Sequence, residues 1–166
     1  ELSVYPGVEI MGIAEKDKNR VQPYLDKYQI PYYSDYRDML TTDCDGVIIC
    51  SEYVDHAKLT IEAAQAGKHV LCEKPLGITM EEMHRMIEVC KEQNVHLMTA
   101  FPLRFSAPVI NAKQALDRGD IGELLGIKGM NRSQLGGPWF ADPAQSGGGA
   151  LIDHTVHVMD LMNWFV

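Results

Sequence analysis

Short apolar runs alternate with amphipathic stretches over the first two-thirds of the chain. Val8-Glu9-Ile10-Met11-Gly12-Ile13-Ala14 has the character of a strand, and a helical pattern follows from Lys18 to Tyr28. Pro31-Tyr32-Tyr33 is a brief second strand, with a short helix after it near Tyr36 to Leu40. Gly46-Val47-Ile48-Ile49-Cys50 is unbroken in its β-branched character, which predicts a buried parallel strand. Asp55 stands where an N-cap would start the next helix, and Gly67 where a C′ residue would stop it. His69-Val70-Leu71-Cys72 is another short buried strand. Thr79-Met80-Glu81-Glu82 spells a capping box, and the helix it opens carries Met80, Met83, Ile87 and Cys90 on one face. Val95 to Ala100 is a further strand-like run. Strands and helices alternating in this way predict parallel strands joined by crossover helices, an α/β fold.

After Pro108 the texture changes. Val109 to Arg118 reads as a helix that Gly119 ends, and Leu124 to Met130 as a strand belonging to a different sheet. Gly136 to Gly149 is rich in Gly and Pro and predicts a loop. An apolar helix then runs to Val166.

Composition narrows the function classes. The 166 residues suffice for one domain, or for one domain and part of a second, and 46% hydrophobic content supplies a real core. A formal net charge of −8 leaves no basic stripe to track a phosphate backbone, which argues against a nucleic-acid partner. The cations are scattered, so no polybasic membrane patch forms. Nothing reads as a signal peptide or a membrane span, which points to the cytoplasm. Cys44, Cys50, Cys72 and Cys90 have neither a C-x-x-C pair nor metal-ligand spacing, and Cys50 and Cys72 end apolar runs where a thiol packs as a small hydrophobe. Asn131-Arg132-Ser133 matches a glycosylation acceptor, read as a chance match without a secretory signal.

Three segments carry candidate chemistry. Gly67-Lys68-His69-Val70-Leu71-Cys72-Glu73-Lys74-Pro75 delivers a carboxylate, an amine and a proline at the carboxyl end of a strand, the edge at which open α/β sheets bind ligands. A cis Lys74-Pro75 bond would fit there. In Gly147 to Asp160, helical spacing puts Asp153, His157 and Asp160 on one narrow face, with Trp164 on the same face and His154 pointing elsewhere. A solvated polar stripe and a buried functional cleft are equally good readings of that face from its spacing. Asp153 with His157 gives only two ligands, so no metal is predicted. Glu15, just past the first strand, stands where nucleotide-binding sheets hold a ribose.

Taken in this order, the segments resemble the Gfo/Idh/MocA family of oxidoreductases. The resemblance runs from Val8 to Phe165 and is most specific from His56 through Pro75, ending in the family's Glu-Lys-Pro signature. The glycine run leading to Asp153-x-x-x-His157 is a second match, and Leu103-Arg104-Phe105 a third. The chain departs from the family pattern in reading Ser51-Glu52-Tyr53 where Thr-Pro-Asn is usual, and Phe101-Pro102 where His-Asn or Tyr-Asn is usual. The family's opening strand and G-x-G-x-x-G turn are also absent.

The resemblance implies a Rossmann-type parallel sheet lacking its first strand over residues 1–105, and the start of an α+β substrate domain over 106–166. It implies NAD as cofactor, with NADP left open, and hydride transfer to or from a hydroxyl-bearing carbon of a sugar or polyol. Lys74, Asp153 and His157 would be catalytic. Glu15, Ser51, His56, Glu73, Lys74 and Arg104 would contact the cofactor. A homo-oligomer is expected of the full-length protein. Two alternatives stand beside this: a glycoside-cleaving relative with tightly held NAD, and a non-catalytic sugar-nucleotide-binding protein, which would not need the Lys74, Asp153 and His157 set.

Overall fold

A computed structural model describes residues 5–132, 138–149 and 151–166. The chain divides between Val47 and Ile48 into two compact units. In the first, β1 (Ile13–Ala14) pairs in parallel with β2 (Tyr32–Tyr33). α1 (Lys18–Tyr28) connects them and α2 (Tyr36–Leu40) follows. Each helix starts on an aspartate: Asp17 accepts from the Asn19 N–H and Asp35 from the Arg37 N–H. β1 is shorter than the predicted Val8–Ala14 run, because only Ile13 and Ala14 have ladder partners in β2. Gly12 is needed for close approach, since a Cβ there would lie 2.6 Å from the Tyr33 ring and 2.9 Å from the Pro31 carbonyl oxygen.

β3 (Gly46–Ile49), β4 (His69–Glu73) and β5 (Leu97–Ala100) form a sheet in that order, with β4 and β5 parallel and Cys72 opposite Thr99. α3 (His56–Gln65) and α4 (Met80–Glu92) cross over between strands and pack on each other, with Ala64, Val89 and Cys90 buried against Leu97. The parallel strands and crossover helices meet the α/β expectation. β3 departs from it in detail, being buried on one face only: Val47 and Ile49 are covered while Ile48 is 50% exposed. Cys50, at its end, is likewise exposed rather than packed, whereas Cys72 and Cys90 are buried. In α4 the buried residues are Met86, Val89 and Cys90, with Met80 and Ile87 exposed. The stripe is turned from the predicted Met80-Met83-Ile87-Cys90 face toward the side that meets α3.

The ends of these helices set the strands that follow. Gly67, at φ +74°, closes α3 with paired bonds from its N–H to the Ala64 carbonyl and from the Lys68 N–H to the Ala63 carbonyl. Thr79 and Glu82 form the predicted capping box, each side chain accepting the other's backbone N–H. Asp55 does not cap α3 with its side chain, because a 3-10 turn over Tyr53–Asp55 already gives it helical dihedrals.

Beyond β5, a 3-10 turn (Pro102–Phe105) leads into α5 (Ala107–Asp117), which Gly119 terminates. Leu124–Met130, expected as a strand, makes no ladder, since no described segment pairs with it. The expected loop from Gly136 to Gly149 contains a 3-10 turn (Pro138–Ala141) and the short α6 (Pro143–Ser146), started by Asp142; Gly136 and Gly137 lie outside the described residues. Asn131 donates to the His154 carbonyl, and Ser133 of the acceptor tripeptide lies outside the described residues. A π-helical turn (Leu151–Thr155) runs into α7 (Val156–Phe165). Among the described residues no helix is long and apolar enough to cross a membrane.

Two substitutions test this account of the helix ends. Gly67→Ala meets no atom within 4 Å but keeps a left-handed backbone, so it should cost about 1–2 kcal/mol in denaturant unfolding. Thr79→Ala should cost about 1 kcal/mol, with Thr79→Ser recovering most of it. Neutral Gly67→Ala and Thr79→Ala variants would show that neither end contributes to the fold.

Candidate active site

All but one of the predicted site residues lie in the second unit, at the carboxyl ends of its strands and on the segment from Leu151 to Phe165. β4 ends at Glu73, Lys74 follows it, and the next bond, Lys74-Pro75, is cis, as the sequence suggested. The Lys74 ammonium lies 2.5 Å from Asp153 Oδ1. Two longer contacts, each 3.3 Å, reach the Tyr53 hydroxyl and the Asp153 carbonyl. An ammonium has three N–H donors and here meets three acceptors. The Tyr53 hydroxyl also donates to Asp153 Oδ1, and His154 Nδ1 stands 3.0 Å from Oδ2. Burial would lift the Asp153 carboxyl, but Lys74, then Tyr53, more than offset this and hold it below the usual carboxylate range.

This geometry decides between the two readings of the Asp153–Trp164 face. Asp153 is buried, and the Asp160 side chain is only 7% exposed. The face is not a solvated stripe. Arg104 forks onto Asp160, with Nε 2.8 Å from Oδ2 and Nη2 2.5 Å from Oδ1, while its guanidinium lies over the Trp164 ring. Arg104, expected at the cofactor, therefore spends its fork on α7 and ties the Pro102–Phe105 turn to that helix. His154, expected to point away, lies against Asp153 because the chain there winds as a π turn rather than an α-helix.

His157 stands four residues beyond Asp153, in the first turn of α7, with the Phe101 ring edge-on at 6.4 Å between centroids. Its Nδ1 is buried and has no hydrogen-bond partner among the described residues. Burial, then the Lys74 charge, pulls the imidazole below its ordinary value, against smaller opposing effects of Asp153, Glu73 and Asp160. The ring is thereby kept neutral, as a proton acceptor must be.

His56 requires a correction. It was expected to touch a cofactor, but it is fully buried at the start of α3, and both ring nitrogens face backbone carbonyls. Nδ1 lies 2.8 Å from the Pro75 oxygen and Nε2 3.1 Å from the Ser51 oxygen. With no exposed surface, His56 instead packs between the loop after β3 and the turn after β4, donating to one of the two carbonyls. Ser51 and Glu73 remain at those strand ends: the Ser51 hydroxyl has a long 3.4 Å contact to the Glu52 carbonyl, and Glu73 accepts from the Lys74 N–H. Glu15 lies in the first unit, just past β1, where it accepts from the Asp17 N–H and stands 3.4 Å from Arg20.

Sequence reasoning missed Tyr53, which it treated only as a departure from the family pattern. The available signal was a hydroxyl-bearing aromatic directly after a strand on the ligand-binding edge of the sheet. Its partner is 100 residues away, so no local spacing could reveal it.

Residues 3–101 match the model of an oxidoreductase family with an NAD-binding Rossmann fold, and residues 109–166 match the GFO/IDH/MocA C-terminal domain. Inositol 2-dehydrogenase of Salmonella typhimurium is 30% identical over 164 residues, covering 96% of this chain and 47% of that protein. The crystal structure of myo-inositol 2-dehydrogenase from Lactobacillus plantarum superposes with a TM-score of 0.89 at 30% identity, over 99% of this chain and 50% of that one. A levoglucosan dehydrogenase in complex with NADH and levoglucosan superposes at 0.83 and 32% identity, over 93% of this chain and 44% of that one. The chain thus spans about half the length of the relatives it matches. With one family model matching residues 3–101 and another residues 109–166, the chain belongs to the GFO/IDH/MocA oxidoreductase family.

Proposed function

We propose that this chain carries the proton-handling site of an NAD-dependent dehydrogenase acting on a hydroxyl-bearing carbon of a sugar or polyol. The observation that carries this reading is the buried Nδ1 of His157, without a partner among the described residues and within electrostatic reach of the Lys74–Asp153 pair. A buried nitrogen left without a partner costs about 1–3 kcal/mol unless a ligand satisfies it. A substrate hydroxyl suits this position, because it donates to the imidazole and accepts from an ammonium.

The chain's own residues then divide the work. Lys74 donates to the substrate oxygen, exchanging one of its two 3.3 Å contacts for it, and stabilises negative charge developing there. His157, kept neutral by burial and by Lys74, takes the hydroxyl proton. Asp153 holds Lys74, since both its oxygens already have protein neighbours. The nicotinamide, when bound, supplies the redox chemistry. Ser51 and Glu73, at the carboxyl ends of β3 and β4, are the residues we assign to hold it, with Glu15 on the adenosine ribose. A carboxylate at that position repels a 2′-phosphate and so favours NAD, while Arg20 beside it keeps NADP open. Residues 1–105 would serve the cofactor and 106–166 open the substrate-binding part. The inositol and levoglucosan dehydrogenases among its relatives support a polyol or sugar as substrate.

His157→Asn in the intact protein should lower kcat by roughly a hundredfold to ten-thousandfold and change the Kd for NAD little. Normal turnover with weakened NAD binding would make His157 a cofactor residue and this assignment wrong. The pH dependence follows from the direction of the shift. A neutral imidazole is the active form and its pKa is lowered, so kcat/KM for alcohol oxidation should fall on acidification with a midpoint below about pH 6.5. An acidic limb centred above 6.5 would contradict a buried His157 base.

A further inference from the structure

We propose that Tyr53 is a positioning residue, whose hydroxyl locks the Lys74 ammonium against Asp153 through a closed three-way contact. The inference rests on the dehydrogenase reading above and goes beyond it. Lys74 has only donors to offer, ionised Asp153 only acceptors, and a phenol has one of each. Only one arrangement satisfies all three: Tyr53 donates to Asp153 Oδ1 while accepting from Lys74 Nζ. Asp153 Oδ1 receives Lys74 directly as well, which closes the ring. The ammonium is thereby held from two sides, and a third contact to the Asp153 carbonyl fixes its remaining direction.

Tyr53 is itself immobilised. It is buried, its ring meets Phe140 edge-on at 5.8 Å and His56 at 5.7 Å, and the Tyr53–Asp55 turn leads directly into α3. The Lys74 ammonium also lies 5.6 Å from its ring centroid, within cation–π range. Burial, then Asp153, pushes the phenol far above its ordinary range, so it stays protonated and acts as a permanent donor rather than as an acid or base. It therefore works through Lys74 and Asp153 and not on substrate.

Tyr53→Phe keeps the ring packing and removes only the hydroxyl. In the intact protein it should lower kcat about tenfold while leaving KM for the polyol and Kd for NAD within about twofold. In an Asp153→Ala background, which removes the shared acceptor, the same change should cost less than about twofold more. Independently of turnover, an amine-reactive reagent followed by mass spectrometry should label Lys74 several-fold faster in Tyr53→Phe than in wild type, and Tyr53→Gln should do the same. Unchanged labelling, a loss of kcat undiminished in the Asp153→Ala background, or an effect confined to KM would each overturn the positioning role. A wild-type protein that fails to reduce NAD with any polyol or sugar offered, while Tyr53→Phe still speeds labelling, would count against the dehydrogenase reading alone.

Discussion

The buried ion pair between Lys74 and Asp153, with side chains 18% and 9% exposed, is the constraint on which the rest of the site depends. An ammonium and a carboxylate removed from water each lose several kcal/mol of solvation, and their attraction offsets this only with good geometry and further hydrogen bonds. Both conditions hold here, with a 2.5 Å contact and donors or acceptors supplied by Tyr53, His154 and the Asp153 carbonyl. A pair of apolar residues would hold the same two segments together at no worse stability. The charges are therefore better explained by chemistry at the site than by folding. The pair also joins the carboxyl end of β4 to a helix 79 residues away.

Around that pair, several local devices fix where each charge sits. The Schellman closure at Gly67 sets the start of β4, and His56 packs between the loops after β3 and β4. On the opposite side, Arg104 forks onto Asp160 and packs over Trp164, which aligns α7 with the turn after β5. Asp153 and Asp160 are thus each matched by a cation from a different strand end, and His157 lies between them in sequence without a charged partner of its own. Burial, then the Lys74 charge, keeps the imidazole uncharged against the smaller opposing pull of the carboxylates around it.

Much of this was legible in the chain, for reasons that differ by element. α1, α2 and the capping box at Thr79 were readable because their signals are local: an aspartate before an amphipathic run, or Thr and Glu three residues apart. Lys74 was singled out by the Glu-Lys-Pro signature of the family resemblance, since a charged turn after a strand is by itself more often structural. The failures share a cause, which is partners far off in sequence. Leu124–Met130 has strand character but no described partner to ladder with, and β3 alternates because one of its faces is uncovered. The buried side of α4 is set by α3, which its own periodicity could not announce. His154 was misplaced because sequence spacing assumes 3.6 residues per turn and the chain there winds as a π turn. Tyr53 and His56 show the same limit at the site itself, since each owes its role to groups that only the fold assembles.

The central claim is that one substrate hydroxyl is shared by Lys74 and His157, with Asp153 held back as the anchor of the lysine. A crystal structure of the intact protein with a bound polyol and the oxidised cofactor tests it directly. The account predicts a single hydroxyl oxygen within about 3.2 Å of both Lys74 Nζ and His157 Nδ1, with Asp153 still on Lys74 and Tyr53. A polyol whose hydroxyls reach Asp153 but neither Lys74 nor His157, or a His157 Nδ1 taken up by another protein group, would contradict it.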